Sequence, residues 1–303
     1  MGTVTILMRV PAISDLSQIA AELSTWQRDR GPFHVHPGDL GWHSTVGARK
    51  TTADLRVWSR KGKMVALGLL DGEGLLRMAV DPEVHDDDDL ARQVARDVNG
   101  ADAGIPAVGE AIIEARGANS LRHRLLHEGW VADEPWTPFR LDLARPVSDE
   151  RVKRARIRVE AVDPGMAESW VAVHWSAFKG TPMGEEDSQR FVERWTTMAE
   201  GPFSDLARHL IALDAHDNAV AVTTVWSAGA GRPGLIEPMG VHRDHRGHGY
   251  GVAITLAGAR ALQEMGASSA VVVAGNANVG AVATYASSGF TAHDPVTDLK
   301  RSA

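Results

Sequence analysis

A turn with a glycine at every second position lies between an apolar strand-like segment and a long helical segment. It runs Arg246-Gly247-His248-Gly249-Tyr250-Gly251 and is followed by Val252. Glycine adopts backbone conformations that other residues avoid, so successive N–H groups can point into one concave space where a helix begins. The helix dipole also favours negative charge there. The pattern therefore predicts that backbone amides bind a pyrophosphate.

Two familiar phosphate-binding motifs do not match this turn. A P-loop needs Lys followed by Ser or Thr, and the dinucleotide fingerprint has the spacing Gly-x-Gly-x-x-Gly, whereas glycines alternate here. Glycine spacing alone is equally typical of a tight strand-to-helix connection that binds nothing. An anion site and a purely structural turn therefore both remain open on the spacing alone.

The strand-like segment before the turn carries a candidate base. Residues 235–241 should place Glu237, Met239 and Val241 on one face, because side chains alternate along a strand. Pro238 has no N–H to donate to a neighbouring strand, which predicts a bulge or a splay. The Glu237 carboxylate could accept the proton of an attacking amine. A strand glutamate that only forms an ion pair would give the same sequence.

A second group of residues follows the next predicted strand. It consists of Asn278, Ala281, Tyr285 and the pair Gly289-Phe290. Together with the Arg246-x-x-Gly249-x-Gly251 motif, this order and separation resembles the GNAT superfamily of N-acetyltransferases. The resemblance covers residues 155–300 and is most specific at their end.

The resemblance implies a mixed sheet flanked by helices and acetyl-CoA as co-substrate. It assigns the CoA pyrophosphate to the backbone of residues 246–252. It assigns binding of the pantetheine arm to Asn278, Ala281 and the strand residues Met239, Gly240 and Val241. Tyr285 would donate the proton to the departing sulfur, although its spacing alone would suit a core residue.

These assignments predict direct acetyl transfer to a primary amine of a small molecule, with Glu237 as the base. Two alternatives are a module that binds acyl-CoA without catalysis and an enzyme that acetylates peptides or proteins. The binding module predicts stabilisation by the cofactor without thiol release for any amine, whereas replacing Tyr285 tests its role as the acid.

The sequence is less specific about the acceptor. Apolar residues that could line a cleft have helical spacing, which is more often typical of a core, so we expect about two in three of them to be packing residues. They are Trp175, Phe178, Met183, Trp195, Met198 and Trp226. Polar residues that could meet a cationic acceptor are His174, Glu185, Glu186 and Asp187, the acids in a predicted loop.

A cluster of imidazoles in the first half raises the question of a metal. His34, His36, Asp39 and His43 lie close together in the sequence. Zinc uses such ligands, but His-x-His in a loop rich in Pro and Gly is more often a packed or solvated turn. We predict no metal site.

The strands and helices that must position these residues are predicted in a similar order in both halves of the chain. In the first half, the predicted strands are 3–10, 55–60, 64–70, 75–80 and 110–115, and the predicted helices are 15–28, 87–98 and 119–127. In the second half, the predicted strands are 157–161, 209–214, 219–226, 235–241 and 270–274, and the predicted helices are 164–178, 188–199, 250–265 and 279–287. Both halves end a helix on similar residues, Gly129-Trp130 and Gly289-Phe290. We predict two tandem GNAT-like domains, 1–147 and 148–303, over one large α/β domain.

The first of these domains lacks the chemical residues of the second. Where the second has its glycine turn, residues 80–89 contain no glycine and end in four acids, Asp86 to Asp89, which would repel a pyrophosphate. Leu125 takes the position of Tyr285 when the two endings are aligned. The first half therefore resembles a degenerate copy, as in tandem GNAT proteins of the mycothiol synthase type. We expect it to be structural or to shape the acceptor site.

Composition excludes several other classes of protein. The 303 residues contain no cysteine, which excludes disulfides, thiolate zinc ligands and a cysteine nucleophile. The formal net charge of −7 argues against nucleic-acid binding. No apolar run approaches the roughly 20 residues that span a bilayer, and the start lacks a basic leader. We expect a cytoplasmic monomer or homodimer with no membrane or nucleic-acid partner.

Overall fold

The computed structural model describes residues 5–100, 102–106 and 108–301. Residues 3 and 4 of the first predicted strand lie outside this range. The elements of the first half are β1 (Ile6–Arg9), α1 (Leu16–Trp26), α2 (Pro37–His43), α3 (Ala48–Asp54), β2 (Leu55–Arg60), β3 (Lys63–Leu70), β4 (Leu75–Val80), α4 (Asp88–Asn99), β5 (Ala111–Glu114), α5 (Asn119–His127) and β6 (Val131–Asp142). Those of the second half are α6 (Glu150–Ala155), β7 (Arg158–Ala161), α7 (Ala167–Phe178), α8 (Glu185–Ala199), β8 (Ala207–Leu213), β9 (Ala219–Trp226), β10 (Gly234–Val241), α9 (Tyr250–Glu264), β11 (Ser269–Gly275), α10 (Val279–Ser287), β12 (Thr291–Ala292) and β13 (Val296–Arg301).

The chain forms two compact units that are discontinuous in sequence. The first unit contains the described residues up to His36, Ala48–Trp136 and the residues from Asp294 onward. The second contains Pro37–Gly47 and Thr137–His293. The continuous ranges 1–147 and 148–303 predicted above therefore differ from these units in three segments: α2, the end of β6 and β13.

The first unit is built on a sheet in the order β1-β2-β3-β4-β5-β13-β6. Its pairs are antiparallel except for β4 and β5, which are parallel. The last strand of the chain, β13, fills the place between β5 and β6, with Leu299 opposite both Ile113 and Ala132. Leu299 is fully buried in the core of this unit, so the carboxyl end of the chain belongs to its sheet.

The second unit has the sheet order β6-β11-β10-β9-β8-β7, with β12 paired to β6. The β10–β11 pair is parallel, and β7 to β10 run antiparallel to one another. Strand β9, with the sequence AVAVTTVW, is buried almost throughout because helices α7 and α9 pack on it. This continuous burial explains why its apolar run shows no polar alternation.

The repeated helix endings have the same local geometry. Gly129 and Gly289 both have positive φ, and the next N–H groups, of Trp130 and Phe290, reach back to the carbonyls of Leu125 and Tyr285. This is the left-handed cap that glycine favours at the end of a helix. Leu125 and Tyr285 are therefore equivalent positions, as the sequence comparison predicts.

Some element boundaries differ from the predicted ones. The sequence analysis does not predict strands β6, β12 and β13 or helices α2, α3 and α6. Helix α8 begins at Glu185, so the acids at 185–187 form its first turn instead of a loop, where they match the positive end of the helix dipole. Helix α10 has the predicted bounds. Among the described residues, no helix combines the length and the apolar character that crossing a membrane requires.

Candidate active site

Strand β10 contains the predicted bulge. Its register against β9 shifts between Ile236 and Met239, because β10 advances by three residues where β9 advances by two. The cis Glu237–Pro238 peptide bond lies inside this irregular segment. The two carbonyls of this segment are satisfied by side chains from β9. The indole N–H of Trp226 donates to the Glu237 carbonyl at 2.7 Å, and the Thr223 hydroxyl donates to the Pro238 carbonyl at 2.9 Å.

The predicted splay lies on the opposite side of β10. The parallel register with β11 covers only Gly234 and Leu235. Further along, the His242 N–H donates to the Val220 carbonyl. In an antiparallel pair, the N–H and C=O groups of successive residues point alternately toward the partner strand and away from it, so those of Met239 and Val241 point away from β9. These are the backbone groups that the resemblance assigns to the pantetheine arm, and they face the space that opens between β10 and β11.

The glycine turn connects β10 to helix α9 through two left-handed residues. Gly247 has φ +83° and Gly249 has φ +81°, a region that strains any residue with a Cβ. No other atom lies within 4 Å of the position of an added Cβ at either glycine. The glycines are therefore required by backbone conformation, and the surface in front of them is open.

The backbone amides of this turn are unpaired within the described part of the chain. From Arg246 to Val252, no backbone N–H donates a hydrogen bond to any residue that the structure describes, and the first intrahelical bond is that of Ala253 to the Gly249 carbonyl. Helix α9 has no side-chain cap. The start of a helix always leaves such donors, and here they belong to seven consecutive residues, of which 246–249 are exposed and 250–252 are half-buried.

The turn is anchored to the end of helix α7 by its arginines. The Arg246 guanidinium donates to the Ala177 carbonyl at 3.0 Å, and the guanidinium of Arg243 donates to the Gly180 carbonyl. The backbone N–H of Arg243 donates to the buried Ser176 hydroxyl at 3.1 Å. The cationic side chains thus fix the position of the turn, while its own N–H groups stay unpaired.

Gly251 brings the three predicted cofactor segments together. A Cβ added at this position would lie 3.2 Å from Thr284 of α10 and 3.4 Å from Val241 of β10. A side chain at this position would press on Thr284, so glycine favours the close packing of the start of α9 on α10. Thr284 precedes Tyr285, so the glycine turn, the β10 splay and the candidate acid lie side by side.

Tyr285 projects from α10 into an aromatic core. It is 6% exposed, and its ring contacts Phe139 at 5.5 Å and Phe290 at 6.1 Å between centroids. Its hydroxyl makes no hydrogen bond to a described residue. Burial and the nearby Glu237 carboxylate both raise the pKa of the phenol above its usual value, so it stays protonated at neutral pH. The structure thus brings Tyr285 and Glu237 within electrostatic reach of one another.

Asn278 and Ala281 lie at the start of α10. The Asn278 side-chain oxygen accepts the Ala281 N–H at 3.1 Å, which caps the helix. Asn278 is exposed, which leaves its side chain accessible to solvent. Ala281 packs with Met239 against the core that contains Tyr285.

The acceptor candidates divide as expected. Trp175, Trp195, Met198 and Trp226 are buried, whereas Phe178 is exposed and Met183 is partly exposed. Four of six are therefore packing residues. His174 is the polar candidate closest to the rings: it stacks on Trp170 at 5.3 Å and contacts Phe178 at 4.7 Å.

The equivalent region of the first unit has a different chemistry. At the start of α4, the Asp87 carboxylate accepts the Leu90 N–H at 2.8 Å and also pairs with Arg60. The helix start is thus capped by its own acid, and Leu125 is fully buried where the second unit has Tyr285. In the part of the chain that the structure describes, no group of three or more His, Asp or Glu side chains is arranged to hold a metal ion.

Residues 168–290 match the Acetyltransferase (GNAT) family. They contain the bulged strand, the turn with unpaired amides and Tyr285. Over these residues, the chain is similar to GNAT acetyltransferases.

Relatives of this chain carry the name mycothiol acetyltransferase. One from Renibacterium salmoninarum is 32% identical over 133 residues, which are 43% of this chain and only 38% of that protein. One from Arthrobacter sp. (strain FB24) is 28% identical over 272 residues, covering 86% of this chain and 81% of the relative. The GNAT acetyltransferase likeness thus extends through both halves, although the first of these alignments spans less than half of the relative.

Solved structures share the fold over nearly the whole chain. A tandem GNAT protein from the clavulanic acid biosynthesis pathway aligns with a TM-score of 0.57 at 16% identity, covering 98% of both chains. A GCN5-related N-acetyltransferase from Sphaerobacter thermophilus aligns with a TM-score of 0.53 at 17% identity, covering 98% of this chain and 95% of that one. The fold prediction, a mixed α/β architecture with two GNAT-like domains, is confirmed.

Three residues around the site escaped the sequence analysis. Thr223 and Ser176 satisfy backbone groups of the bulge and the turn, and Trp42 of α2 joins the aromatic residues of α7. A signal for Thr223 existed, because two adjacent threonines in an otherwise apolar strand need hydrogen-bond partners once they are buried. Nothing local to residues 37–43 indicates their neighbours in the second unit.

Proposed function

We propose that this chain is an acetyl-CoA-dependent N-acetyltransferase that acetylates a primary amine of a small molecule. The proposal rests on one juxtaposition: a protonated, buried Tyr285 beside Glu237, at a strand splay that adjoins a row of unpaired amides. The names of the relatives support a small-molecule acceptor.

The residues present fit the acetyl donor that GNAT proteins generally use. Backbone N–H groups of residues 246–252 would hold the pyrophosphate, since charge-assisted hydrogen bonds to amides at a helix start suit such an anion. The peptide groups of Met239 and Val241, with Gly240 between them and Asn278 and Ala281 opposite, would hold the pantetheine arm. Bound acetyl-CoA supplies an activated acetyl thioester.

Two side chains of this protein then accept and donate the protons of the reaction. Glu237 accepts the proton that the amine loses as its nitrogen attacks, directly or through a water molecule. Tyr285 donates its hydroxyl proton to the departing sulfur, since the phenol is protonated at neutral pH. The acetyl group passes directly to the amine, so no covalent intermediate with the protein is needed.

The proposal gives the first unit no catalytic role. We infer that it binds no acetyl-CoA, because its equivalent turn carries carboxylates that cap their own helix and Leu125 has no proton to donate. A cytoplasmic location and a monomeric or homodimeric state stay predictions from the sequence.

Thiol release tests the proposal. The protein is incubated with acetyl-CoA and a panel of amino sugars, aminoglycosides, polyamines, arylalkyl amines and peptides, and free thiol and N-acetylated product are measured together. Equal amounts of both, from a non-peptide amine, support the proposal. Stabilisation by acetyl-CoA without thiol release would favour the binding module, and preference for peptides would favour a peptide acetyltransferase.

A further inference from the structure

Trp226, the last residue of β9, holds the backbone of the candidate base. Its side chain is fully buried, and the indole N–H donates to the Glu237 carbonyl at 2.7 Å. In the strand register Trp226 lies opposite Leu235, so its side chain reaches two residues along β10 to meet the bulge. The indole thus adds a link between β9 and the residue whose carboxylate is the proposed base.

The hydrogen bond acts on the peptide group that follows the Cα of Glu237. The bulge places Glu237 and Pro238 opposite a single β9 residue, Thr224, and a bulge re-aims the side chains within it. The nitrogen of this peptide group belongs to Pro238 and has no hydrogen, so the carbonyl is its one hydrogen-bonding atom. By binding that carbonyl, the indole fixes the orientation of the peptide group and so the direction in which the Glu237 carboxylate projects.

Helix α2 holds the indole in place along its length. A Cβ on Gly38 would lie 2.5 Å from Cβ and Cγ of Trp226, and a Cβ on Gly41 would lie 2.2 Å from Cζ3 at the far end of the ring. The two glycines are three positions apart, so they lie on one face of the helix. Neither has a positive φ, and glycine weakens a helix relative to alanine. Close approach to Trp226 is therefore what requires them.

Burial alone does not explain the hydrogen bond of this indole. Trp170 and Trp195 are also buried in the second unit, and their indole N–H groups find no partner among the residues that the structure describes. This unit thus buries tryptophans without pairing them. Trp226 differs because glycines of α2 fit around its ring and its N–H is aimed at the bulge.

We propose that Trp226 is a positioning residue for the candidate base and that α2 acts through it. Trp226 sets the direction of the Glu237 carboxylate without touching substrate, and Gly38 and Gly41 let α2 fix the indole. This role presupposes the proposed function, in which Glu237 accepts the proton of the amine. It also gives α2 a part in the reaction, because this helix comes from the first half of the sequence but belongs to the second unit.

A double-mutant cycle between Trp226 and Glu237 tests this role. Acetyl-CoA is saturating, and the acceptor is whichever of glucosamine, 2-phenylethylamine and putrescine the wild type turns over fastest. W226F removes the indole N–H, and a misplacement of about 1 Å costs about 100-fold in rate, so kcat should fall about 10- to 100-fold. The KM of acetyl-CoA should stay within about 3-fold of wild type. Once E237Q has removed the base, W226F should lower kcat by less than about 3-fold more.

W58F is the matched control for losing a buried indole. Trp58 of the first unit is also fully buried, and its indole N–H donates to the Asp97 carboxylate at 2.7 Å. Both variants should lose stability, but W58F should keep the wild-type kcat. Thermal melting curves check that each variant is folded at the assay temperature.

G41A is a second probe, which keeps the indole N–H. The added Cβ would lie 2.2 Å from the ring, so the indole or α2 must move by about 1 Å to restore an ordinary contact. The kcat should fall about 10- to 100-fold, as in W226F, with the KM of acetyl-CoA within about 3-fold. G184A is its control, because Gly184 has φ −75° and no atom within 4 Å of an added Cβ, and it should keep the wild-type kcat.

The outcomes separate this role from the proposed function. A wild-type kcat in folded W226F, or losses of W226F and E237Q that multiply, overturns the positioning role while acetyl transfer stands. If W226F does not fold, the same cycle with G41A decides. A wild-type kcat in E237Q overturns Glu237 as the base and Trp226 with it. Absence of thiol release from the wild type with every amine overturns the proposed function itself.

Discussion

Replacing Tyr285 by phenylalanine removes one hydroxyl and leaves the ring. The ring contacts with Phe139 and Phe290 remain, and the hydroxyl makes no hydrogen bond to the described residues, so Y285F loses no internal partner. The free energy of unfolding should therefore stay within about 0.5 kcal/mol of wild type. Any large effect on turnover must then come from the missing proton donor.

The expected loss of turnover follows from the proposed role. A positioned general acid contributes about 100- to 10,000-fold to a rate, which corresponds to about 3 to 5 kcal/mol of barrier. We expect Y285F to lower kcat within this range. The KM of acetyl-CoA should change by less than about 3-fold, because the proposal assigns the pyrophosphate to backbone amides of the glycine turn and not to Tyr285. Thiol release under saturating acetyl-CoA measures both constants.

F139L serves as the matched control for packing. Phe139 touches the Tyr285 ring but carries no proton, so this variant should lose about 1 kcal/mol of stability and keep a near-normal kcat well below its melting temperature. If Y285F instead keeps the wild-type kcat with a good acceptor, Tyr285 is only a core residue and the acid must be sought elsewhere.

The remaining predictions concern the glycine turn, its anchor, pH and the first unit. G249A should lose about 1 kcal/mol of stability through its left-handed backbone and raise the KM of acetyl-CoA, whereas G231A, with φ +72° and open space, should lose stability alone. R246Q, which can still donate to the Ala177 carbonyl, should keep more acetyl-CoA affinity than R246A; equal losses would mean that the charge itself binds. Burial lowers the pKa of both His174 and His209 to about 4, so the unfolded chain binds more protons than the folded chain between pH 6.5 and 4. The free energy of unfolding, measured by urea titration, should therefore fall as pH falls, by up to about 1.4 kcal/mol per pH unit for each histidine. H209N should make the free energy of unfolding depend less on pH. Calorimetry should give one acetyl-CoA per chain, and two would refute a silent first unit.

Much of the candidate site was predictable because its determinants are local. The positive φ of Gly247 and Gly249 favours glycine, and so does the positive φ of Gly289 at the end of α10. Each of these conformations can therefore be predicted from a glycine in the sequence. The bulge follows from Pro238, which cannot donate to a ladder. These features depend on a few neighbouring residues and not on distant partners.

The elements that were missed depend on distant partners. Helix α2 has Pro37, Gly38 and Gly41 in seven residues, which by local preference indicates a turn. The two glycines are there because a Cβ would collide with Trp226, a residue far along the chain. Strand β13 likewise finds both of its neighbours in the first unit, about 160 to 190 residues earlier, so no local periodicity predicts its place.

An acidic chain can bind a diphosphate when the donors are backbone amides. Net charge −7 disfavours anions at long range, but this repulsion between exposed groups is screened beyond about 10 Å at moderate salt. At the turn, the side chains of Arg243 and Arg246 donate to carbonyls in and just after α7, so the hydrogen bonds proposed for an anion come from N–H groups of the glycine turn. Such donors cannot rotate away or be titrated. The same argument applies to the first unit, where the Asp87 carboxylate already accepts the Leu90 N–H at the start of α4 and its negative charge opposes a second anion there.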